Sequence, residues 1–267
     1  MTYAHDWDPG SYASFRGLRL RPALDLLAQV PDLPDGCVVD LGCGDGAVAG
    51  PLRERFPGRA LVGVDSSPAM VARAVGYDAL RLADIAHWTP AAHHEDAPAL
   101  IFSNAALQWL PDHQRLLPRL AAALVPGGTL AVQMPRQHDA PSHRLMREVA
   151  WSLFPDRFPE EDGDAVPPSV PPVAPPGAYH RLLAGLGALS VWETEYLQPL
   201  APVGEGHPVR AFTQSTALRP FSARMGAGEM GEFLDQYDEA LAFAYPAEAD
   251  GTVLFPFRRL FLVLTRP

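Results

Sequence analysis

The chain has 267 residues, of which 48% are hydrophobic and 19% charged, and this composition is typical of a folded globular protein. Its length allows one large α/β domain, or a core with a small cap. The formal net charge is −10 and the chain contains no basic block, which argues against nucleic acid or an anionic membrane as a partner. No apolar run approaches the roughly 20 residues needed to cross a bilayer.

The first residues and the two cysteines bear on the cellular compartment. Residues 1–8 carry acidic and aromatic side chains and lack the basic-then-apolar pattern of a signal peptide, so we expect a cytoplasmic location. Cys37 and Cys43 are the only cysteines. They indicate no disulfide framework, and without paired histidines they make no zinc site, so no metal is expected.

Short apolar runs alternate with helical patterns along the first half of the chain. The run 37–41 ends in glycines, which predicts a buried strand, a tight turn and then a helix. The leucine spacing of residues 114–124 is typical of a helix. Strand and helix alternate five times, which predicts right-handed βαβ units and a doubly wound parallel sheet. The four further strands are expected at residues 60–64, 79–83, 99–102 and 129–134.

The second half of the chain differs in composition. Residues 155–176 contain eight prolines, which predicts an extended segment, either a solvated loop or a mobile flap near the active site. Beyond it, two strands enclose a helical insertion. They predict an antiparallel last strand in a mostly parallel seven-stranded sheet, with a helical cap. Helices are expected at 178–186, 208–218 and 229–244, and strands at 189–196 and 260–264.

The segment Asp40-Leu-Gly-Cys-Gly-Asp-Gly46 is a glycine turn at which a ligand can approach the backbone closely. By itself it does not identify the ligand. Gly42, Gly44 and Ala47 also match the fingerprint of a nicotinamide dehydrogenase, with Asp65 placed to hold a ribose hydroxyl. The turn alone therefore leaves an oxidoreductase and a methyltransferase as alternatives.

Other residues favour a methyl donor over a dinucleotide. Asp40, before the first glycine, suits a cofactor with a cationic amino-acid portion rather than a pyrophosphate. Asp84 follows the third predicted strand and can accept from an adenine amino group while Ile85 packs on the ring. Residues 104–110 place polar side chains where a methyl group would be delivered. These strand ends meet in the crevice where open α/β sheets bind ligands.

Several motifs resemble those of class I methyltransferases, which use S-adenosylmethionine. They are Asp40-Leu-Gly-Cys-Gly44, Asp65-Ser-Ser-Pro-Ala-Met70, Asp84-Ile85, Asn104-Ala-Ala-Leu-Gln-Trp-Leu-Pro-Asp112 and Val125-Pro-Gly-Gly128. More narrowly, the chain resembles the trans-aconitate 2-methyltransferase family through segments spread over nearly its whole length. They are Trp7-Asp-Pro9, Tyr12, Arg21-Pro22, Ala131-Val-Gln-Met-Pro135, His143-Arg-Leu-Met-Arg-Glu-Val-Ala150, Leu218-Arg-Pro220 and Arg259-Leu-Phe261.

The resemblance implies a Rossmann-like organisation in three parts and a way of holding the cofactor. Asp65 would hold the ribose hydroxyls, and Asp84 with Ile85 the adenine. The Gly42 carbonyl and Asn104 would hold the methionine amino group. The parts are an N-terminal helical segment over the cofactor (1–30), the core (31–197 with 252–267) and the cap (198–251). The cofactor set is Tyr12, Arg21, Asp40, Gly42, Cys43, Gly44, Asp65, Ser66, Met70, Asp84, Ile85, Asn104 and Ala105.

The reaction implied by the resemblance is esterification of a small polycarboxylic acid, trans-aconitate above all. A carboxylate is already ionised at neutral pH, so neither a general base nor a catalytic histidine is expected, and rate comes from alignment. Asn104, Gln108 and Trp109 would position the reacting groups. The acceptor needs cations, preferably arginines. The residues expected to bind it are Gln133, Arg144, Arg219, Arg258 and Arg259.

Three alternatives stay open at this point. The proline-rich stretch is longer than the resemblance leads one to expect, so the acceptor could be another small acid or a secondary metabolite. A second alternative is a protein that binds the cofactor without catalysis, as a sensor or partner subunit. The third is the dehydrogenase. We expect a monomer, with a dimer left open.

Overall fold

A computed structural model of the chain describes residues 16–90, 97–158, 173–214 and 216–267. Tyr12 and most of the proline-rich stretch lie outside these residues, so the predictions made for them stay predictions. Among the described residues, none of the helices combines the length and apolar character that crossing a bilayer would require.

The described strands form one seven-stranded sheet in the order β3-β2-β1-β4-β5-β7-β6. Strands β1 to β5 run parallel, whereas β7 pairs antiparallel with β5. The predicted fold class, a doubly wound, mostly parallel sheet with an antiparallel last strand, is therefore confirmed. The strands are β1 Val38–Leu41, β2 Leu61–Asp65, β3 Ala79–Leu82, β4 Leu100–Asn104, β5 Thr129–Pro135, β6 Ala188–Leu200 and β7 Val253–Thr265.

Helices connect these strands, and two short 3-10 helices lie at Leu107–Trp109 and Ala184–Leu186. The helix expected over 208–218 ends at Gln214, and a new one begins at Arg219. Pro220 fits only the first turn of a helix, because it lacks a backbone N–H. The α-helices are α1 Arg16–Leu27, α2 Ala49–Arg55, α3 Pro68–Val71, α4 His113–Ala122, α5 Pro141–Leu153, α6 Pro176–Leu183, α7 Pro208–Gln214, α8 Arg219–Ser222 and α9 Ala227–Ala244.

Both late strands are longer than the sequence analysis predicted. Strand β6 extends to Leu200 and β7 begins at Val253. Pro199 and Pro256 lie within the extensions, and proline in an apolar run argues against a strand because it cannot donate to the ladder. Strand β6 is an edge strand, where proline is tolerated. In β7, buried and more exposed residues alternate up to position 258, which is the period of a half-buried strand.

The chain divides into two compact units. The first unit comprises residues 1–135, 174–194 and 259–267, and the second comprises 136–173 and 195–258. The predicted cap, 198–251, falls within the second unit together with helix α5. The functional division into an N-terminal segment, a core and a cap stays a prediction.

The first unit is built on the parallel strands. Every residue of β1 is buried, and Phe102 of β4 is fully enclosed. Leu116, Leu117 and Leu120 of α4 are also buried, at the spacing of one helical face. Burial on both faces explains why these strands are continuous apolar runs. The last residues of β2 and β4, Asp65 and Asn104, are polar and only partly buried, so these strands present polar groups at their carboxyl ends.

The second unit is centred on aromatic side chains. Phe158, Phe221, Phe233 and Tyr237 form a column with successive ring centroids 5.5, 5.7 and 5.8 Å apart. At the start of α5, Ser142 is held at both backbone groups. Its carbonyl accepts from the Tyr237 hydroxyl at 2.8 Å, and its N–H donates to the Tyr245 hydroxyl at 3.0 Å. Packing of α9 thus fixes the beginning of α5.

Candidate active site

The turn after β1 requires glycine. Gly42 has a φ of +86°, which L-amino acids with a side chain rarely adopt. A Cβ added there would lie 2.2 Å from the Cβ of Ala106 and 3.5 Å from Cδ1 of Ile85. Because Gly42 has no side chain, the turn can lie against the loops that follow β3 and β4. Three strand ends are thereby brought together.

Asp65, at the end of β2, has both carboxylate oxygens fixed by the backbone. Oδ2 accepts from the Gly44 N–H at 2.8 Å and Oδ1 accepts from the Ser67 N–H at 2.9 Å. Each oxygen retains acceptor capacity for a further donor. The side chain therefore presents a preoriented pair of acceptors, as recognition of two neighbouring hydroxyl groups requires.

Asp40 lies one residue before the end of β1 and is buried, with 1% of its surface exposed. Its Oδ2 accepts from the Tyr77 hydroxyl at 2.6 Å. Burial raises the pKa of this carboxyl to about 7, although the Tyr77 hydrogen bond acts in the opposite direction. The negative charge of Asp65 raises it further. A nearby cation would favour the ionised form.

The loop after β3 places Asp84 in an exposed position and Ile85 in a buried one. The Asp84 carboxylate accepts from the Ala86 N–H at 2.9 Å. Arg119, on α4, holds this loop by donating to the carbonyls of Ile85 at 2.9 Å and Ala86 at 3.0 Å. The sequence analysis missed Arg119. Nothing in the local sequence links it to a loop more than 30 residues earlier.

The loop after β4 combines backbone strain with buried polar atoms. Ala105 has a φ of +53°, which is uncommon for a residue with a side chain and is often found at functional sites. Its N–H donates to the Gln133 carbonyl at 2.9 Å. Gln108 Nε2 donates to the Ala105 carbonyl at 2.7 Å. The Oδ1 of Asn104 and the Oε1 of Gln108 are buried and have no hydrogen-bond partner among the described residues.

A second connection to this loop runs through two buried side chains that the sequence analysis also missed. His113 Nε2 lies 2.9 Å from the Leu107 carbonyl, and His113 Nδ1 lies 2.6 Å from the Tyr179 hydroxyl. The Tyr179 hydroxyl in turn accepts from the Ala174 N–H at 3.2 Å. A carbonyl only accepts, so Nε2 carries the proton and Tyr179 donates to Nδ1. Burial lowers the pKa of His113, which favours this neutral form.

The neighbouring strand end carries a buried arginine. Gln133 of β5 is the register partner of Asn104, and its Oε1 accepts from Arg259 Nη1 at 3.2 Å. Arg259 is 3% exposed. The Nε2 of Gln133 is buried and has no partner within the described part of the chain. The structure thus brings Gln133, Arg259 and Asn104 to one edge of the first unit.

Comparison with known proteins identifies the class to which this arrangement belongs. A family model described as a methyltransferase domain matches residues 12–163. Relatives named trans-aconitate 2-methyltransferase include that of Methylobacterium nodulans, 45% identical with 98% of each chain covered. Those of Streptomyces avermitilis and Escherichia coli are 44% and 41% identical, with 96% and 98% of each chain covered. The chain belongs to the trans-aconitate 2-methyltransferase family.

Solved structures show the same fold. The YcgJ protein of Bacillus subtilis has a TM-score of 0.51 at 14% identity, covering 92% of this chain and 98% of that one. A phosphoethanolamine N-methyltransferase 2 of Haemonchus contortus, in complex with S-adenosyl-L-methionine, has a TM-score of 0.51 at 16% identity. The match covers 92% of this chain and 53% of that enzyme, so this chain spans about half its length.

Membership of the trans-aconitate 2-methyltransferase family confirms the predicted family, methyl transfer and S-adenosylmethionine as methyl donor. It does not test the individual site residues. Arg21 lies in α1 with its side chain 75% exposed, and its Nε is 4.0 Å from Asp25. Its role at the methionine end of the cofactor stays a prediction, as does that of Tyr12.

The other residues predicted for the cofactor differ in exposure. Met70 and Cys43 are buried at 5% exposure, and Ser66 is exposed. Burial raises the pKa of the Cys43 thiol, and the nearby Asp40 and Asp65 add to this effect. Cys43 therefore stays a neutral thiol, which contributes shape to the turn rather than a charge.

The arginines expected at the acceptor site of this methyltransferase also differ in burial and in their ion-pair partners. Arg144 is half-exposed and pairs with Glu148 at 2.6 Å. Arg258 is half-exposed and lies 3.4 Å from Glu195. Arg219 begins α8 in the second unit and is partly buried. Of the predicted arginines, Arg259 alone is buried.

Proposed function

We propose that this chain transfers the methyl group of S-adenosylmethionine to a carboxylate of a small polycarboxylic acid, with trans-aconitate as the acceptor. The observation that carries the proposal is the buried Asn104 Oδ1, which has no donor among the described residues. Burying an acceptor without a donor costs about 1–3 kcal/mol. The amino group in the methionine portion of the cofactor is a donor of the required kind.

The other residues of this edge fit the remainder of the same molecule. The two preoriented oxygens of Asp65 match a pair of ribose hydroxyls. Asp84 offers an exposed acceptor to the adenine amino group, and Ile85 offers an apolar surface to its ring. Burial raises the pKa of Asp40, and the cationic portion of the cofactor would favour its ionised form. These contacts are proposed for the cofactor on the chemistry of the residues that would make them.

The chemistry requires little of the protein beyond positioning. When bound, S-adenosylmethionine supplies an electrophilic methyl group carried on a sulfonium. The acceptor carboxylate is ionised near neutral pH, so the chain need not hold a base. Gln108 fixes the carbonyl of the strained Ala105. We propose that Asn104, Gln108 and Trp109 align the two reacting groups, which can supply several kcal/mol.

The acceptor assignment is supported by two observations. The relatives cited above carry trans-aconitate in their names and match the chain over nearly its full length. Arg259 lies buried against Gln133 at the same strand ends as Asn104, and a guanidinium suits the charge and geometry of a carboxylate. We propose that Arg259 and Gln133 face the acceptor. Arg144, Arg219 and Arg258 remain candidates for its other carboxylates.

Transfer of a labelled methyl group to trans-aconitate tests the proposal, with cis-aconitate, citrate and isocitrate in parallel. Efficient labelling of trans-aconitate supports donor, reaction and acceptor together. Labelling of a different acid, or of none, contradicts the acceptor assignment. A protein that binds S-adenosylhomocysteine but labels none of these acids would either methylate a different acceptor or bind the cofactor without catalysis.

Asn104→Leu tests the observation that carries the proposal, because it removes the acceptor atom while keeping a similar volume. We expect S-adenosylhomocysteine to bind roughly ten-fold or more weakly, with no loss of thermal stability, because an unsatisfied buried atom has been removed. Gln236→Leu, on the exposed surface of α9, is the matched control and should change neither quantity. Unchanged binding by Asn104→Leu would contradict the assigned contact.

Two further expectations are proposals of the same kind. We propose a cytoplasmic location, since Cys37 and Cys43 form no disulfide with each other. We also propose a monomer, which sedimentation at micromolar concentration would test. A dimer under those conditions would overturn it.

A further inference from the structure

A tyrosine beside the glycine turn was not selected by the sequence analysis. Tyr77 lies just before β3, and its hydroxyl donates to Oδ2 of the buried Asp40 at 2.6 Å. The two residues are 37 positions apart in the chain, and both belong to the first unit. The hydrogen bond therefore joins two segments of one compact body at the site proposed for the cofactor.

Two glycines leave room for the Tyr77 ring. A Cβ added at Gly63, in β2, would lie 3.0 Å from Tyr77 Cδ1, and one added at Gly46 would lie 3.3 Å from Tyr77 Cε2. Carbon atoms in favourable contact are about 3.5–4.0 Å apart, so a side chain at either position would press on the ring. Because both side chains are absent, the ring packs against the backbone of β2 and of the glycine turn.

The residues on either side of Tyr77 are also held in place. The Gly76 carbonyl accepts from Arg53 Nε, and Asp78 Oδ1 lies 2.8 Å from Arg53 Nη2. The other carboxylate oxygen of Asp78 accepts from the Leu61 N–H at 2.8 Å. Helix α2 and the beginning of β2 thereby fix the backbone around Tyr77, and with it the position of the hydroxyl.

Asp40 lies in surroundings that disfavour its negative charge. Its register partners on the neighbouring strands are Gly63 of β2 and Phe102 of β4, which have no polar side chain. Burial raises the pKa of Asp40, the Tyr77 hydrogen bond lowers it, and the negative charge of Asp65 raises it further. Among these described neighbours, Tyr77 is the residue that favours the ionised carboxylate.

Tyr77 acts as a neutral donor. Burial raises the pKa of its hydroxyl, the negative charge of Asp40 adds to this effect, and Cys43 and Asp45 of the glycine turn act in the same direction. The hydroxyl therefore keeps its proton at neutral pH. Hydrogen bonds to an ionised acceptor are roughly twice as strong as those between neutral groups, so the bond favours the charged form of Asp40.

We propose that Tyr77 is a positioning residue of the cofactor site: its hydroxyl orients the Asp40 carboxylate and stabilises the ionised form that the cationic amino-acid portion of the cofactor requires. The proposal rests on the proposed function, because it takes Asp40 as a neighbour of that cationic portion. A bound cation favours the ionised carboxylate, so binding should release a proton wherever the free protein holds one on Asp40. Tyr77 then sets the pH below which affinity for the cofactor is lost.

Tyr77→Phe in the full chain removes the hydroxyl and keeps the ring, and calorimetry with S-adenosylhomocysteine between pH 6 and pH 8.5 measures the consequence. Affinity of the wild type should rise with pH and level off above about pH 7. In Tyr77→Phe it should level off roughly one to two pH units higher, the worth of a hydrogen bond to a charged group.

The variant should therefore bind roughly ten-fold more weakly than the wild type at pH 6, and this ratio should shrink as the pH rises. A ratio that is the same at every pH would mean that Tyr77 only supports the fold, and would overturn the proposal. Tyr245→Phe is the matched control, because it removes a hydroxyl that is bonded to the Ser142 N–H at 3.0 Å rather than to a carboxylate. It should leave the pH dependence unchanged.

Combining Tyr77→Phe with Asp40→Asn shows whether the tyrosine acts through the carboxylate. Asp40→Asn cannot ionise, so its affinity should not depend on the titration of this position. Adding Tyr77→Phe to it should then cause no further loss that varies with pH. A loss at pH 6 as large as in the wild-type background would show that Tyr77 acts independently of Asp40, and would overturn the proposal.

Proton release on binding keeps this inference apart from the proposed function. Calorimetry in buffers of different ionisation enthalpy counts the protons released when S-adenosylhomocysteine binds, whether or not any acid is methylated. We expect close to one proton from the wild type at pH 6 and almost none at pH 8, where Tyr77→Phe should still release a large fraction of one.

The two possible failures differ in this measurement. No release by the wild type at pH 6 would contradict the contact between Asp40 and the cofactor, and would overturn the inference together with that part of the proposed function. Release by the wild type with the same pH dependence in Tyr77→Phe would overturn the inference alone and leave the proposed function intact.

Discussion

The two compact units hold their charged side chains in opposite ways. In the first unit, the carboxylates of Asp65 and Asp84 accept backbone N–H groups in the turns at the strand ends. In the second unit, Arg147 and Arg210 lie buried on helices. Backbone N–H groups fix these anions, whereas side chains lie beside the cations, with Asp238 2.9 Å from Arg210 and His138 3.5 Å from Arg147. The position of these carboxylates at the strand ends can therefore be predicted from the sequence, whereas the burial of the two arginines cannot.

Asp40 differs from the other two carboxylates of the first unit because it is buried. Its ionisation gives the largest expected effect on stability. Its pKa is about 7 in the folded chain, so between about pH 4 and pH 7 the folded state keeps a proton that the unfolded state has lost. Stability should fall as pH rises through this window, by roughly 4 kcal/mol in total, and level off above it. Asp40→Asn keeps an acceptor for Tyr77 and removes the ionisation.

Denaturant unfolding of both proteins at several pH values measures this difference. We expect Asp40→Asn to be more stable than the wild type above neutral pH. The difference between their free energies of unfolding should shrink as the pH falls towards 4. A difference in the free energy of unfolding that does not change with pH would show that Asp40 ionises normally in the folded chain.

The glycine turn gives the next largest effect. Gly42→Ala should cost about 3 kcal/mol and prevent cofactor binding, because the new Cβ meets Ala106 at 2.2 Å and the residue keeps a positive φ. Gly50, exposed in α2 with nothing near an added Cβ, is the control. Gly50→Ala should stabilise the chain by up to about 1 kcal/mol. Equal changes in the free energy of unfolding at positions 42 and 50 would contradict the close contact between Gly42 and Ala106.

Arg119→Met tests whether the loop after β3 is also held from a distance. It removes the donor that fixes the carbonyls of Ile85 and Ala86, so the adenine contacts proposed for Asp84 and Ile85 should loosen. We expect affinity for S-adenosylhomocysteine to fall roughly ten-fold by calorimetry, the worth of one or two hydrogen bonds. Unchanged affinity would show that the loop is held by its own turn alone.

Tyr179→Phe gives the smallest effect. It removes the donor to His113 Nδ1 and leaves the bond from His113 Nε2 to the Leu107 carbonyl. We expect the rate of methyl transfer to fall roughly three- to ten-fold, because the loop that carries Gln108 and Trp109 is less firmly positioned. The affinity for S-adenosylhomocysteine should stay the same. Weaker binding of S-adenosylhomocysteine with an unchanged rate of methyl transfer would show that the hydrogen bonds from Tyr179 through His113 support cofactor binding instead.

The sequence was sufficient to predict the parallel sheet, the glycine turn and the acidic residues at the strand ends. Each rests on a short segment: Gly42 must adopt a positive φ, and Asp65 ends an apolar run. The contacts of Arg119 and the bond between His113 and Tyr179 could not be predicted in this way, because Arg119 bonds carbonyls 31 to 34 residues earlier and His113 lies 66 residues before Tyr179. Their residue types alone do not indicate a contact.

Helix α5 shows, within one motif, the same limit of prediction from sequence. Arg144 and Arg147 belong to the segment that carries the family resemblance, and composition does not distinguish them. Only the packing of α5 buries one and exposes the other. Both late strands were predicted, but their extensions, which contain Pro199 and Pro256 and show alternating burial in the structure, were not.

The two tyrosines that hold Ser142 have a consequence for synthesis of the chain. Tyr237 and Tyr245 follow Ser142 by 95 and 103 residues, so the beginning of α5 gains its partners only when nearly the whole chain has left the ribosome. Contacts this distant in sequence form late and slow folding. The first unit's parallel strands up to β5 are made long before, and we expect them to collapse first during translation. The nascent second unit would meanwhile expose the aromatic residues of its core, which makes it the segment most in need of a chaperone.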